Sequence, residues 1–516
     1  MSARPLLLCA LAAFLVCSCS TPRPRAPARA PQALDFESAI RRLERKDPAS
    51  PAVLSAKLAY AQFLLDDTSA PCAKRLTLAQ EQMGSVAANP ETHILFPAGW
   101  ALVASLEYRQ QLERAACDQA ADPRDALLAA AAAAHRAVAL YRGEFAYRSM
   151  VIMQFDAAIA WRRAGEKAAA LAALKSALAM DREFGFEDDA RQNYALLLTW
   201  RDEPATAIAR LLKDFPRRRV RLTFGWHALH ARVTVEDRRA TLDGGQIAYS
   251  HAAAAFERRI TAAPHGGWSV TYTHRLRAYD PGVWPSEPGA KTRRLVFPPA
   301  PLAPADFKVS AQGEFAGVED LQKFSTRLTR KTGQLIRAAT PAGKAARIAA
   351  EDALEGTAID FSPGMLEADT AQSYELETAM WIGATLDQGD WYEVSAPLAL
   401  PGMGQFVIEQ HIEFAFTRRV PCTAAATADR CVEIVLHMRP DAKALRHMLA
   451  DIGGPSPGGL FTDYFASMEE RIVIDPTTLL PYRGERRIYW YAAIGQRARN
   501  AVVESEHVVS GTRYAH

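Results

Sequence analysis

Apolar residues recur every third or fourth position from residue 35 to residue 216, and every second position beyond it. The first period is that of an amphipathic helix and the second that of a half-buried strand. The clearest helical stretch is Ala158 to Glu183, where Gly165 separates two runs. The second run places Ala170, Leu171, Leu174, Ala177 and Leu178 on one stripe. "HILFPAGWALVASLEYRQQL" and "ALLAAAAAAHRAVALYRG" predict two further helices. First helices of successive hairpins are expected near residues 51, 94, 149 and 187.

The alternating half predicts strands in "RRRVRLTFGWHALHARVTVEDRRATLDGG", "WSVTYTHRLRAYD", "YELETAMWIGATL", "DWYEVSAPLAL", "QFVIEQHIEFAFTRRV", "CVEIVLHMRP", "ERIVID", "RGERRIYWYAAI" and "ARNAVVESEHVVSGTRY". "HAAAAFERRI" fits a strand or a short helix. Two helices are expected to interrupt, over Ala316 to Arg337 and Asp441 to Ile452. Val283 to Pro304 is proline-rich and reads as a loop or linker. The expected fold class is therefore α+β and multidomain: a helical-hairpin array over 35–216, then a mainly antiparallel β domain. Its parts are a β segment at 217–282, a proline-rich linker at 283–306 and a β-rich domain at 307–516. Consecutive antiparallel strands suit a curved sheet, a sandwich or an open barrel.

The first 31 residues follow neither period. Leu6 to Val16 is an apolar run of eleven residues. That is short of the roughly 20 needed to span a bilayer as a helix, and it suits the core of a secretion signal. Val16-Cys17-Ser18-Cys19 follows it and resembles the bacterial lipobox. The resemblance implies cleavage after residue 18, diacylglycerol on the Cys19 sulfur and an acyl chain such as palmitate on its amino group. Cys17 departs from the pattern, where another small residue is usual. Ser20 stands where Asp would imply retention in the inner membrane, so the resemblance implies an outer-membrane lipoprotein facing the periplasm. Residues 19–34 then form a tether. The prolines of Thr21 to Pro31 favour extended polyproline II at about 3.1 Å per residue, a reach of roughly 35 Å.

Charge narrows the function. The formal net charge is +3, and without residues 1–18, which include Arg4, it is +2. A nucleic-acid binder would show a basic patch or stripe. Four cysteines remain besides Cys9, Cys17 and Cys19: Cys72, Cys117, Cys422 and Cys431. An even number in an exported protein predicts two disulfides, and three pairings are open. Cys422–Cys431 is favoured because it clips the loop between two strand-like runs, which leaves Cys72–Cys117 for the helical half.

Two more resemblances bear on architecture. Ala158 to Glu183 resembles a tetratricopeptide repeat, with a small residue and Gly at the turn, Ala-Leu entering and closing the second helix, and Asp181 where Asp-Pro is usual. Arg182 and Lys167 depart from the pattern. Phe36 to Leu65 and Asn193 to Pro216 echo it at irregular spacing, so the array is degenerate. The resemblance implies a concave face that holds a protein or peptide segment. Glu470 to Tyr491 is similar to a hairpin of exported β-domains in which Asp475-Pro476-Thr477 starts the turn, which implies a fold type and no activity.

No motif for chemistry stands out. There is no phosphate-binding loop and no H-E-x-x-H, and the G-x-S-x-G string at Gly454 to Gly458 lies in the proline-broken loop Asp451 to Phe461 rather than at a strand-to-helix turn. His227 and His230 lie three apart, a spacing that puts them on opposite faces of a strand. His411, His437 and His447 are scattered, and Asp360, Asp369, Glu375 and Glu377 read as exposed carboxylates. No catalytic residue, metal or cofactor is expected, and an exported hydrolase ranks last. The aromatics Trp381, Trp391, Tyr392, Tyr489, Trp490 and Tyr491 belong either to the core or to the wall of an apolar ligand site. The sequence therefore predicts a lipid-anchored scaffold for an envelope protein or peptide. The alternative is a carrier holding a lipid or other apolar ligand in the β domain.

Overall fold

The computed structural model describes most of residues 33–515. Outside the described part lie residues 1–32, 187–199, 201–217, 281–304, 454–462 and several shorter stretches. The lipobox-like stretch, the tether expected at 19–34 except its last two residues, which begin a helix, all but Trp200 of the repeat-like Asn193 to Pro216 and nearly all of the proline-rich linker fall there. For strand residues including 236–253, 274–280 and 491–515, the backbone alone is described.

Seven helices of the N-terminal half are described: α1 (Ala33–Glu44), α2 (Pro51–Asp66), α3 (Cys72–Ala87), α4 (Pro97–Cys117), α5 (Pro123–Gly143), α6 (Tyr147–Arg163) and α7 (Lys167–Phe184). Prolines begin α2, α4 and α5, where the missing N–H costs no helical hydrogen bond. The alanine run of α5 buries Ala130, Ala131, Ala133, Ala134 and Ala137 at 1% exposure or less. Small side chains let α4 and α6 approach on both sides of it. Gly165, at φ 85°, turns α6 into α7, as the periodicity predicts. Cys72 at the start of α3 is bonded to Cys117 at the end of α4.

The second half is built on one open antiparallel sheet of eleven strands. Its members are β2 (Leu229–Asp243), β3 (Gln246–Ala262), β4 (Trp268–Asp280), β5 (Phe307–Val309), β6 (Phe315–Val318), β8 (Trp391–Leu400), β9 (Met403–Val420), β10 (Cys431–Pro440), β11 (Asp463–Ile474), β12 (Pro481–Ile494) and β13 (Ala498–Ala515). The spatial order is β6-β5-β4-β3-β2-β13-β12-β11-β10-β9-β8. Two meanders thus meet at the β2–β13 pair, so 217–282 and 307–516 build a single sheet. β1 (Arg219–Arg221) and β7 (Thr385–Asp387) pair separately. Cys422 and Cys431 are bonded, closing the β9–β10 loop.

Between β6 and β8 the chain crosses through α8 (Leu321–Ala339) and α9 (Pro363–Glu377), and α10 (Ala442–Gly453) follows β10. Two expectations need correction, and one left open is decided. Tyr374 to Leu386 is not one strand: it is the end of α9, a 3-10 turn at Ala379–Trp381 and the first two residues of β7. Pro363 at the first helical position and the Leu, Ala and Glu after it favour helix over alternation. The helix expected from Ala316 starts at Leu321, because residues 315–318 pair with β5. "HAAAAFERRI" lies within β3, held by ladders on both sides despite its alanines.

The two sheet faces have different neighbours. On one face Ile412, Phe416, Ile434, Leu436, Met468 and Ile472 pack against Leu376 and the fully buried Trp381. The helical half docks on the other face, which is why β10 is apolar or buried on both sides from Cys431 to Leu436. There the α5–α6 turn inserts Phe145, whose ring lies 4.9 Å from the guanidinium carbons of both Arg471 and Arg487. Glu485 pairs with both arginines. Arg418 covers Phe184 at 5.2 Å and pairs with Glu183 and Glu433. Gln388 donates to the Glu183 carbonyl at 2.7 Å. Gly185 at φ 80° keeps this approach possible, since a Cβ there would lie 2.8 Å from the Gln388 side chain.

Candidate functional site

Two grooves open on the described surface, each with a volume of about 250 Å³. The first lies across α1, α2 and α3. Ile40 and Tyr60 form its floor, and Glu37, Arg41, Glu44, Lys57, Glu81, Gln82 and Ser85 its walls. Lys57 is fixed by Glu44 at 2.9 Å. The Tyr60 hydroxyl donates to Glu37 at 3.0 Å, and its ring stacks on Phe36. Burial, then Glu37, pushes that hydroxyl up to about 12, so it stays a donor. Three carboxylates facing two basic groups suit backbone amides and basic side chains of an extended polypeptide better than they suit hydrocarbon.

The second groove lies at the outer edge of the sheet, on the face that carries the helical half. Trp391, Tyr392, Glu393, Glu413 and His437 line it. The Trp391 ring is 41% exposed and sits 5.1 Å from that of His437. Burial first, and Arg439 second, push the His437 imidazole down to about 4, so it is neutral at pH 7. One rung further along β8 and β9 stands a second polar cluster. Ser395 Oγ lies 3.1 Å from His411 Nδ1, and His411 Nε2 lies 3.1 Å from Asp441 Oδ2. Asp441 Oδ1 caps α10 by accepting from the amides of Lys443 and Ala444.

The residues singled out in the sequence fall in separate places. Trp381 is core, its indole N–H donating to the Leu376 carbonyl at 2.8 Å. Tyr392 stacks on Phe414 at 5.6 Å on the core face, while Trp391 belongs to the opposite face. Tyr489 is buried against the helical half, in the cluster of Leu58 and Leu106, and Trp490 is half-buried on the other face. Of Tyr491 the backbone is described. The aromatics thus do not converge on one cavity. His230 pairs with Glu257 at 3.0 Å, and His227 lies outside any strand. Cys19 and Asp360 lie outside the described residues. Asp369, Glu375 and Glu377 sit on α9 rather than on exposed strand faces, and Glu377 is 3.7 Å from Arg486. Burial pushes the Glu377 carboxyl up to about 7, against the opposing pull of Arg486. Among the described residues, no group of three or more His, Cys, Asp or Glu is placed to hold a metal ion, and no helix is long and apolar enough to cross a membrane.

Sequence reasoning missed the Ser395, His411 and Asp441 cluster. Its members are 16 and 30 residues apart along the chain, and they meet through strand register alone. The strand pattern of "DWYEVSAPLAL" and "QFVIEQHIEF" was the available signal, since it puts Ser395 and His411 on polar faces.

No protein-family model matches the chain, and no curated protein does. A solved structure described as lipid–protein interactions in lipovitellin is similar over 56% of this chain and 26% of its own, with 8% identity and a TM-score of 0.26. The chain spans about a quarter of that protein's length, and at that score the likeness fixes neither fold nor ligand.

Proposed function

We propose that this is a lipid-anchored envelope protein whose helical half binds a polypeptide partner. The observation that carries the reading is the contrast between the two halves. The core between the sheet and Trp381 is filled by side chains with no exposure, among them Phe416, Val432, Ile434 and Leu436. The groove over α1 to α3 is open and mostly polar. A carrier needs the reverse, a roomy apolar cavity with few polar groups. The lipobox-like Val16-Cys17-Ser18-Cys19 supports the anchor and the outer-membrane, periplasm-facing placement. The tether after it gives the groove reach to a partner in the envelope. The carboxylates of Glu37, Glu44 and Glu81 favour a segment with basic side chains.

The test isolates the full-length protein, Cys19→Ala and Glu81→Lys from native membranes and quantifies co-isolated proteins and lipids. Glu81 is exposed, so its reversal leaves the fold intact. A near-stoichiometric protein retained by Cys19→Ala and lost from Glu81→Lys supports the reading, as does release of Cys19→Ala from the membrane. A stoichiometric lipid with no groove-dependent protein overturns it and puts the carrier first.

A further inference from the structure

We infer that Ser395, His411 and Asp441 form a serine acyl-transfer site at the outer edge of the sheet, which takes carboxylic esters or amides bearing a cationic group. Asp441 can only accept hydrogen bonds. The Ala444 amide foremost, then His411, holds its carboxyl below the ordinary value, and it is a carboxylate at neutral pH. His411 Nε2 donates to Asp441, and in the neutral imidazole Nδ1 then accepts from the Ser395 hydroxyl, with Glu393 Oε1 3.7 Å from the same nitrogen as its competing neighbour. This is the relation of nucleophile, base and orienting carboxylate that activates a serine, with the two ring nitrogens exchanged.

The edge of the sheet supplies the remaining parts. Ala399 N–H donates outward to Gln372 at 3.3 Å. Asp441 N–H donates to the Glu409 carbonyl of β9, so His411, two residues on, also turns its backbone toward β10. Both relations put the odd-numbered backbone amides of β8 on its outer side, and Pro397, which has no N–H, stands at one of those positions. The amide of Ser395 thus faces the outer edge beside its own hydroxyl, where it can donate to a developing oxyanion. On the same face, the next rung of the β8–β9 pair is Glu393 opposite Glu413, and the Glu393 carboxylate reaches back to 3.7 Å from His411 Nδ1. Those carboxylates and the exposed Trp391 ring flank the groove already described, and together they suit a cation such as a lysine, arginine or quaternary ammonium group.

The step balances without a further reagent. Ser395 Oγ attacks the acyl carbon and its proton passes to His411 Nδ1. The bond from the acyl carbon to the leaving oxygen or nitrogen breaks, and the leaving group takes that proton. Water then attacks the acyl-serine ester and gives one proton to Nδ1. The released acid keeps the hydroxyl, and Ser395 recovers its proton.

The test treats detergent-solubilised full-length protein with a fluorophosphonate and maps the adduct by peptide mass spectrometry. It also follows hydrolysis of nitrophenyl esters of an arginine-like and a glutamate-like acid. The expected result is an adduct on Ser395, absent from Ser395→Ala and formed at least about a hundredfold more slowly by His411→Ala. Asp441→Asn keeps a side-chain acceptor for the α10 cap, so it separates slowed labelling from unfolding, and thermal melts of each variant check the fold. The arginine-like ester is expected to be hydrolysed faster, with the preference reduced in Glu413→Gln. No adduct on Ser395 in folded protein, an adduct indifferent to His411→Ala, or no turnover of either ester overturns the inference.

Discussion

Asp156 of α6 faces Tyr108 of α4 inside the helical stack, and the tyrosine hydroxyl bonds to its carboxyl. Burial raises that carboxyl to about 6, with Tyr108 and Arg109 pulling the other way. The unfolded chain holds the same group at about 3.9. Between those values the folded state binds a proton that the unfolded state has released. The contribution to stability is therefore present below about pH 4, falls as pH rises to about 6 and stays low above it. Asp156→Asn is expected to remove that slope and to raise Tm at pH 7 by about 2–4 °C. Calorimetry from pH 4 to pH 7 checks it, and an unchanged slope would sink the assignment. Little of this was legible beforehand, because in the sequence Asp156 is one more polar residue on a helix. The cysteines were legible: with the three in the first nineteen residues set aside, the two bonds found are the favoured pairing.

At the scale of elements, legibility followed length and neighbours. "WSVTYTHRLRAYD" and "CVEIVLHMRP" coincide with β4 and β10, because long alternating or β-branched runs leave one solution. The stretch from Tyr374 to Leu386 misled, because its short apolar intervals satisfy both periods over a few residues. What decides it is Trp381 and Leu376 filling the space under β9 and β10, a contact distant in sequence. The loop between β9 and β10 gives a prediction of its own. Its disulfide spans nine residues of chain, and closing a loop that short stabilises by about 2.5 kcal/mol in the chain-entropy treatment. The paired change Cys422→Ala with Cys431→Ala should lower the urea midpoint, with m unchanged or slightly raised because the bond acts by restraining the unfolded chain. An unchanged midpoint would sink the estimate.

The sheet joins its first long strand to its last, and the helical half sits against it through a few residues far apart in the chain. Neither could be read from local pattern, since pairing of β2 with β13 is a matter of global register. The seam concentrates its interactions on Phe145. Its backbone is left-handed at φ 55°, a conformation costing a non-glycine residue about 1–3 kcal/mol. The cost is offset by a ring 2% exposed between two guanidinium groups, themselves held by Glu485. Removing the ring leaves both arginines without their contact surface and opens the helical core cluster that Phe145 shares with Tyr147 and Met150. Phe145→Ala should therefore cost about 3–5 kcal/mol, shared between the helical core and the coupling between halves. The expected sign is a single calorimetric transition that divides into two, with far-ultraviolet circular dichroism at 25 °C unchanged. Glu485→Gln should act the same way, because it leaves two half-buried cations short of a counter-charge. If both variants melt in one shifted transition, the coupling runs instead through Arg418 and Gln388 at the end of α7, and combining either variant with Gln388→Ala should then divide it.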